Sequence, residues 1–254
     1  MLPPGIVNFC MALLRQGRKA LSFGSVLVRA VADARRRGLG GASALERALW
    51  FHHWSPAALR ALNVRVDFTG TPPRSGLLVS NHLSYVDVLV LSSVLSCAFV
   101  SKDDVEHWPL VGRLTGLAGT IYIDRNSRND TRRINDTVVR RFASGQVVVI
   151  FPEGTSTDGS HVRPFYPSLL QSAIDARAPI TPAHIAYEVE GGNAAADVCY
   201  WGDMVFVPHF WRLLGTRGVR ATVRFGTART YLERKTASLE TREQVIALGG
   251  QPAR

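Results

Sequence analysis

The sequence contains no apolar run of about 18 to 20 residues, the length an α-helix needs to cross the hydrocarbon core of a bilayer, so a simple transmembrane helix is not expected. Cysteine is scarce. Cys10, Cys97 and Cys199 lie far apart in apolar surroundings, which argues against a disulfide framework and for reduced thiols in a cytosolic compartment; buried small hydrophobes are the simplest reading of all three. Internal repeats, low-complexity tracts and the spacings of helix-turn-helix or zinc-finger modules are absent, and the arginines are not interleaved with aromatics as in single-strand nucleic-acid binders. A secretory signal also fits poorly, because the first positive charges, Arg15, Arg18 and Lys19, follow the first apolar stretch instead of preceding it.

Acidic residues are in short supply as well. Asp and Glu number 20 against 30 Lys and Arg, a formal charge of +10, which favours anionic partners: nucleic acid, acidic lipid headgroups or acidic carrier proteins. What is present suffices for a core, since 254 residues with 46% hydrophobic content suit one domain with extensions better than two. At the N-terminus, Met1 to Leu14 and Ala20 to Ala34 are apolar, interrupted by the basic cluster and closed by Arg35, Arg36 and Arg37. That pattern predicts a basic, amphipathic pair of helical segments, either lying in a membrane interface or packed as an ordinary arm on the body. Gly38, Gly40 and Gly41 then break the pattern, dividing the chain into an arm over 1–42 and a body over 43–254.

In the body, apolar bursts alternate with helix-like windows. Strands are expected at 64–68, 77–81, 97–102, 119–124, 146–154, 179–185 and 220–226, with helices at Val86 to Ser96 and Asn129 to Ala143. This is the signature of an α/β fold with a largely parallel central sheet flanked by helices, in which chemistry belongs at the strand C-termini.

Four polar stations interrupt these runs. In LLVSNHLSYVDVLV (77–90), His82 and Asp87 are five apart, about 140° around a helix, so they cannot face one another within one helix. Across a strand-to-helix turn they can, with Ser84 as the expected helix cap and Asp87 in the first turn. A carboxylate on one imidazole nitrogen fixes the tautomer and leaves the other nitrogen free to accept a proton; a turn histidine beside a helix-capping acid is the plainer alternative. The second station ends at Arg125, which opens a cluster with Arg128, Arg132 and Arg133 suited either to phosphate or to surface solubility. The third, Phe151-Pro152-Glu153-Gly154-Thr155, follows a continuous apolar strand and sets an acid beside a glycine that permits close backbone approach. The fourth is the proline-bearing strand Ile180 to Pro182; His184 just beyond it reads as packing.

Taken in order, Asn81-His82 with Asp87, Gly119 to Arg125, Phe151 to Thr155 and Ile180 to Pro182 resemble the glycerolipid acyltransferase family, which includes bacterial 1-acyl-sn-glycerol-3-phosphate acyltransferases, over residues 64–226. The resemblance implies an α/β domain on a membrane-associated helical arm, peripheral or monotopic on the cytoplasmic face of the cell membrane. It implies His82 as base and Asp87 as its orienting partner. Asn81, Arg125, Phe151, Pro152, Glu153, Gly154 and Thr155 would bind substrate, with no cofactor or metal, and acyl-CoA or acyl-carrier protein would be the donor co-substrate. The acceptor implied is a lysolipid with a free hydroxyl, foremost 1-acyl-sn-glycerol-3-phosphate.

Two departures subtract phosphate-binding chemistry. Ser156 stands where the family commonly has an arginine after Gly-Thr, and Phe165-Tyr166-Pro167-Ser168 replaces the usual lysine and glycine after phenylalanine. Arg125 and Arg163 are candidates to compensate, and a lysolipid without a phosphomonoester, such as lyso-ornithine lipid, is the alternative acceptor. Rival readings from other classes are a serine hydrolase using Ser156, a metal site drawing on His52, His53, His82 and Asp87, and a non-catalytic basic membrane-binding module.

Overall fold

The computed structural model describes residues 4–102, 111–123 and 128–250. Its elements, in chain order, are α1 (Pro4–Arg36), α2 (Ala44–Leu62), β1 (Val64–Thr69), β2 (Gly76–Ser80), α3 (Val86–Val94), β3 (Cys97–Lys102), α4 (Val111–Leu117), β4 (Ile121–Ile123), α5 (Arg128–Ala143), β5 (Val147–Ile150), α6 (Gln171–Asp175), β6 (Ile180–Val189), α7 (Ala194–Asp197), α8 (Phe206–Gly215), β7 (Val219–Phe225) and α9 (Arg234–Leu248). Among the described residues the strands form one sheet in the order β1-β7-β6-β2-β5-β3-β4. Every neighbouring pair is parallel except β6 with β7. The expected α/β architecture with a largely parallel sheet is therefore what the chain adopts.

The central strands show why. Every residue of β2 and β5 is buried, because helices cover both faces of a parallel sheet and leave no polar side. Alternation sends Leu78, Val147 and Val149 into one core with α2, α3 and α8, and Leu77, Val79, Val148 and Ile150 into another with α5 and α9. Gly76, which opens β2, has φ +90°, and a Cβ there would lie 2.4 Å from the Pro179 carbonyl oxygen, so only glycine lets the two backbones meet.

The arm differs from expectation in one respect. It forms a single helix, α1, about 50 Å long at 1.5 Å per residue, instead of two segments. Arg15, Gln16 and Lys19 do not break it because their side chains find acceptors at the C-terminal end of α8. Lys19 Nζ donates to the Thr216 carbonyl (2.9 Å) and to Thr216 Oγ1 (3.2 Å), Arg15 Nε to the Gly215 carbonyl (3.3 Å) and Gln16 Nε2 to the Trp211 carbonyl (3.0 Å). The Gly215 and Thr216 carbonyls lie past the last amide of α8 and lack helical partners, and cations suit its negative end. Burial, with Arg15 and Arg18 nearby, pushes the Lys19 ammonium down to about 8. On the other flank, Asp33 Oδ2 accepts from Trp54 Nε1 of α2 at 3.1 Å. After the glycine break, α2 starts with a capping box: the Ser43 hydroxyl accepts from the Glu46 amide, and the Glu46 carboxylate accepts from the Ser43 amide. No helix among the described residues is long and apolar enough to cross a membrane.

Candidate active site

The site lies where β2 and β5, paired in register from Gly76↔Val147 to Val79↔Ile150, reach their C-terminal ends side by side. Past β2 the chain turns through Asn81 to Tyr85 and enters α3; past β5 it turns through Phe151 to Thr157. His82 Nδ1 lies 2.8 Å from Asp87 Oδ2. The same oxygen accepts from the backbone amides of Leu83 (2.7 Å) and Ser84 (3.0 Å). Asp87 is completely buried, whereas the His82 side chain keeps 22% of its surface open. An anion so placed is stable only because donors surround it.

Helix α3 begins differently from expectation. Tyr85 is its boundary residue and has no side-chain cap, while the Ser84 hydroxyl accepts only a 3.3 Å bond from Val86 N. Asp87 reaches back to the amides of Leu83 and Ser84 instead, so one carboxylate satisfies the turn and holds the imidazole.

The second loop grips the first. The His82 ring stacks on Phe151 at 4.1 Å between centroids and 12° between planes. Glu153, 2% exposed, accepts from the His82 amide through Oε1 and from the Arg163 amide through Oε2, both at 2.8 Å. Thr157 N donates to the His82 carbonyl at 2.9 Å. Both backbone polar atoms of His82 are thus held by the 153–157 loop. Burial raises the Glu153 carboxyl above its ordinary value, opposed by the two amides it accepts from. Gly154 has φ +74°, a conformation that favours glycine, and turns the loop back while Thr155 stands exposed at its crown.

Of the residues expected from sequence, His82, Asp87, Phe151, Pro152, Glu153, Gly154 and Thr155 come together at this edge. Asn81 neighbours them, but its amide is engaged elsewhere: Nδ2 donates to the Ile185 carbonyl (2.9 Å) and Oδ1 accepts from the Ile185 amide (2.8 Å), so it splices the turn to β6. Arg125 lies outside the described residues, as do the side chains of Arg128 and Arg132. Arg163 is exposed beside the Glu153 bond, and His184 packs its ring against Gly249. The thiols of Cys97 and Cys199 are buried and pushed up to about 12 by that burial, which fits small hydrophobes.

The serine-hydrolase reading finds no support, because the Ser156 hydroxyl donates to the Tyr200 carbonyl and is thereby tied to the 198–204 loop. Nor does a metal cluster form among the described residues; His52 Nδ1 sits 2.6 Å from the Ser92 carbonyl, away from His82. The cleft lined by Arg15, Glu190, Asp197, Arg212 and Arg217 lies at the seam of α1 and α8 and contains none of the expected site residues.

Sequence reasoning missed one member of this constellation. Tyr187, on β6, donates through its hydroxyl to Asp87 Oδ1 at 2.6 Å. Its only sequence signal is alternation with Ala183 and Ile185, which reads as core.

Comparison with known proteins agrees with the geometry. A family model described as "Acyltransferase" matches residues 64–186. A 1-acyl-sn-glycerol-3-phosphate acyltransferase of Neisseria gonorrhoeae is 34% identical over 66% of this chain and 67% of its own length. Lyso-ornithine lipid O-acyltransferases of Pseudomonas aeruginosa and Rhizobium meliloti are 37% and 36% identical, over 67% and 70% of this chain and 65% and 66% of theirs. The chain thus spans about two thirds of the length of these relatives. The crystal structure of the 1-acyl-sn-glycerophosphate acyltransferase from Thermotoga maritima superposes with a TM-score of 0.61 at 18% identity, covering 98% of this chain and 99% of that one, and so shares its fold. With a histidine and an aspartate joined at a strand end, and relatives matching across the body, the chain belongs to the glycerolipid acyltransferase family.

Proposed function

We propose that this acyltransferase moves a fatty acyl group from a thioester donor, acyl-CoA or acyl-carrier protein, to the free hydroxyl of a lysolipid, with His82 as general base. The observation that carries the reading is the His82–Asp87 pair. Asp87, buried and holding Nδ1, fixes the proton there and leaves Nε2 as the basic atom of a partly open ring. Nε2 takes the hydroxyl proton as the acceptor oxygen attacks the thioester carbonyl. The C–O bond forms, the C–S bond breaks, and the imidazolium returns its proton to the departing thiolate. Asp87 stabilises the cation meanwhile, and the stack on Phe151 keeps the ring from swinging out of line. No acyl-enzyme and no resident cofactor or metal enter this scheme.

The acceptor we favour is 1-acyl-sn-glycerol-3-phosphate, on the strength of the Neisseria relative and the charge of +10. Lyso-ornithine lipid is the second reading, favoured by a specific observation: Ser156 occupies the place of the phosphate-binding arginine and is tied to the Tyr200 carbonyl. The matching relatives from Pseudomonas and Rhizobium point the same way. The exposed Met11, Leu14, Leu21 and Val28 of α1, interspersed with Arg18, support an arm that lies on an anionic membrane surface, which we assign to the cytoplasmic face.

Thiol release from acyl-CoA, measured against lysophosphatidic acid and lyso-ornithine lipid with wild-type and His82→Ala protein, tests both points. Release with wild type only, on one lipid of the two, supports the base and names the acceptor. Undiminished release by His82→Ala removes the base assignment.

A further inference from the structure

The two oxygens of Asp87 are not equivalent. Oδ2 is surrounded by His82 Nδ1, Leu83 N and Ser84 N, whereas Oδ1 has one hydrogen-bond donor among the described residues, the hydroxyl of Tyr187. We infer that Tyr187 is a positioning residue for the acyl transfer proposed above: by holding Oδ1 it fixes the plane of the Asp87 carboxylate, and with it the line of the His82 ring. The inference rests on the reading of His82 as base.

Three features support it. First, the torsion that turns a carboxylate plane has only a broad, shallow preference, so the hydrogen bonds made by the two oxygens set it, and Tyr187 supplies the one on Oδ1. Second, the anchor comes from a rigid element. β2 ends at Ser80 opposite Ala183, so Tyr187 sits four residues further along β6, about 13 Å beyond the strand end and over the catalytic turn. There β7 holds it, with Tyr187 paired to Ala221. Third, a hydroxyl donating at 2.6 Å to a buried anion is the short, charge-assisted kind of bond. Burial and the adjacent carboxylate push the phenol well above its ordinary value, so it stays a donor throughout the working pH range.

A core tyrosine that merely needed a partner would make the same bond, and the two roles differ in what they do to His82. Removing the Tyr187 donor makes the carboxylate a stronger base, so it pulls harder on the imidazolium, and His82 is freed for catalysis only at higher pH. The other ionisable groups facing the pair are Glu153 from the β5 loop and Cys199 in the adjoining loop, while Tyr85 at the start of α3 acts on Tyr187 itself. Tyr187→Phe leaves Glu153 in place and removes the phenol from beside Cys199 and Tyr85, both of which burial already holds well above their ordinary values.

The test is Tyr187→Phe in the full chain, assayed by thiol release. The expected result is a kcat roughly tenfold lower, KM values within about twofold, and an acid limb of kcat/KM moved up by about half a pH unit. Added to His82→Ala, the substitution lowers the residual rate no further. Replacement of Tyr187 by 3-fluorotyrosine, a stronger donor of nearly the same shape, moves the acid limb the other way and keeps the test open if the phenylalanine variant does not fold. A folded Tyr187→Phe with unchanged kcat and acid limb, or an unmoved limb with fluorotyrosine, overturns the inference. Loss of activity in His82→Ala alongside either result would leave the base reading standing and sink only the role of Tyr187.

Discussion

His82, just past the end of β2, and His184, within the neighbouring strand β6, differ in everything that matters to an imidazole. His82 stands past a strand end, partly open, with a buried acid on one nitrogen and a phenyl ring against its face. His184 sits within β6 opposite Arg224, ring against Gly249, and its Nδ1 has no hydrogen-bond partner. Burial, with Arg224 adding, pushes His184 down to about 4. The comparison teaches what the proposed base owes to the strand-end turn, whose free amides satisfy a buried carboxylate beside it. The middle of a strand has no amides to spare, and the histidine there stays neutral.

The contrast can be broken most directly at His82. Replacing it with alanine should lower kcat by about 10² to 10⁴, the range expected of a general base, with lipid binding retained in vesicle cosedimentation. Glu153→Gln comes next. The amide keeps the shape but sets an NH2 against one of two backbone donors, which should cost about 1–3 kcal/mol in denaturant unfolding and a smaller share of kcat. Gly154→Ala forces a side chain onto φ +74° and should cost about 1–2 kcal/mol, read as a lower Tm.

His184 supplies the smallest effect on activity. His184→Gln should leave kcat within about twofold, since the ring touches no part of the proposed machinery. Its signature is in stability. Because the folded state holds the proton less tightly than the unfolded chain, stability is intact above about 6.5 and declines as pH falls from there toward about 4. The glutamine variant should show a flatter acid slope over that window in thermal unfolding. A His184→Gln protein as inactive as His82→Ala would abolish the contrast.

The frame was legible because it depends on local pattern. Apolar bursts marked β1, β2, β3 and β7 within one residue, whereas the strand expected at 146–154 stops at Ile150, where the site turn begins; the five-residue spacing of His82 and Asp87 excluded a single helix and demanded a turn. What escaped depends on partners distant in sequence. Asn81 looks like a ligand contact until Ile185, 104 residues on, takes both ends of its amide. Tyr187 looks like core until the folded sheet sets it over Asp87. Arg15 and Lys19 look like a helix break, because nothing local says that a helix end some 200 residues away needs donors. Ser84 was the better cap by residue type, yet Asp87 took the amides because an anion accepts more strongly than a hydroxyl.

That remote end of α8 makes the arm a structural member of the body it precedes. Phe210 of α8 meets Phe23 of α1, and His209 of α8 meets the Tyr85 hydroxyl at the foot of α3. A load-path therefore runs from the arm, through one short helix, to the turn that carries the histidine. Trimming the first 42 residues to obtain an easily handled fragment would unseat that helix and loosen the His82 turn with it.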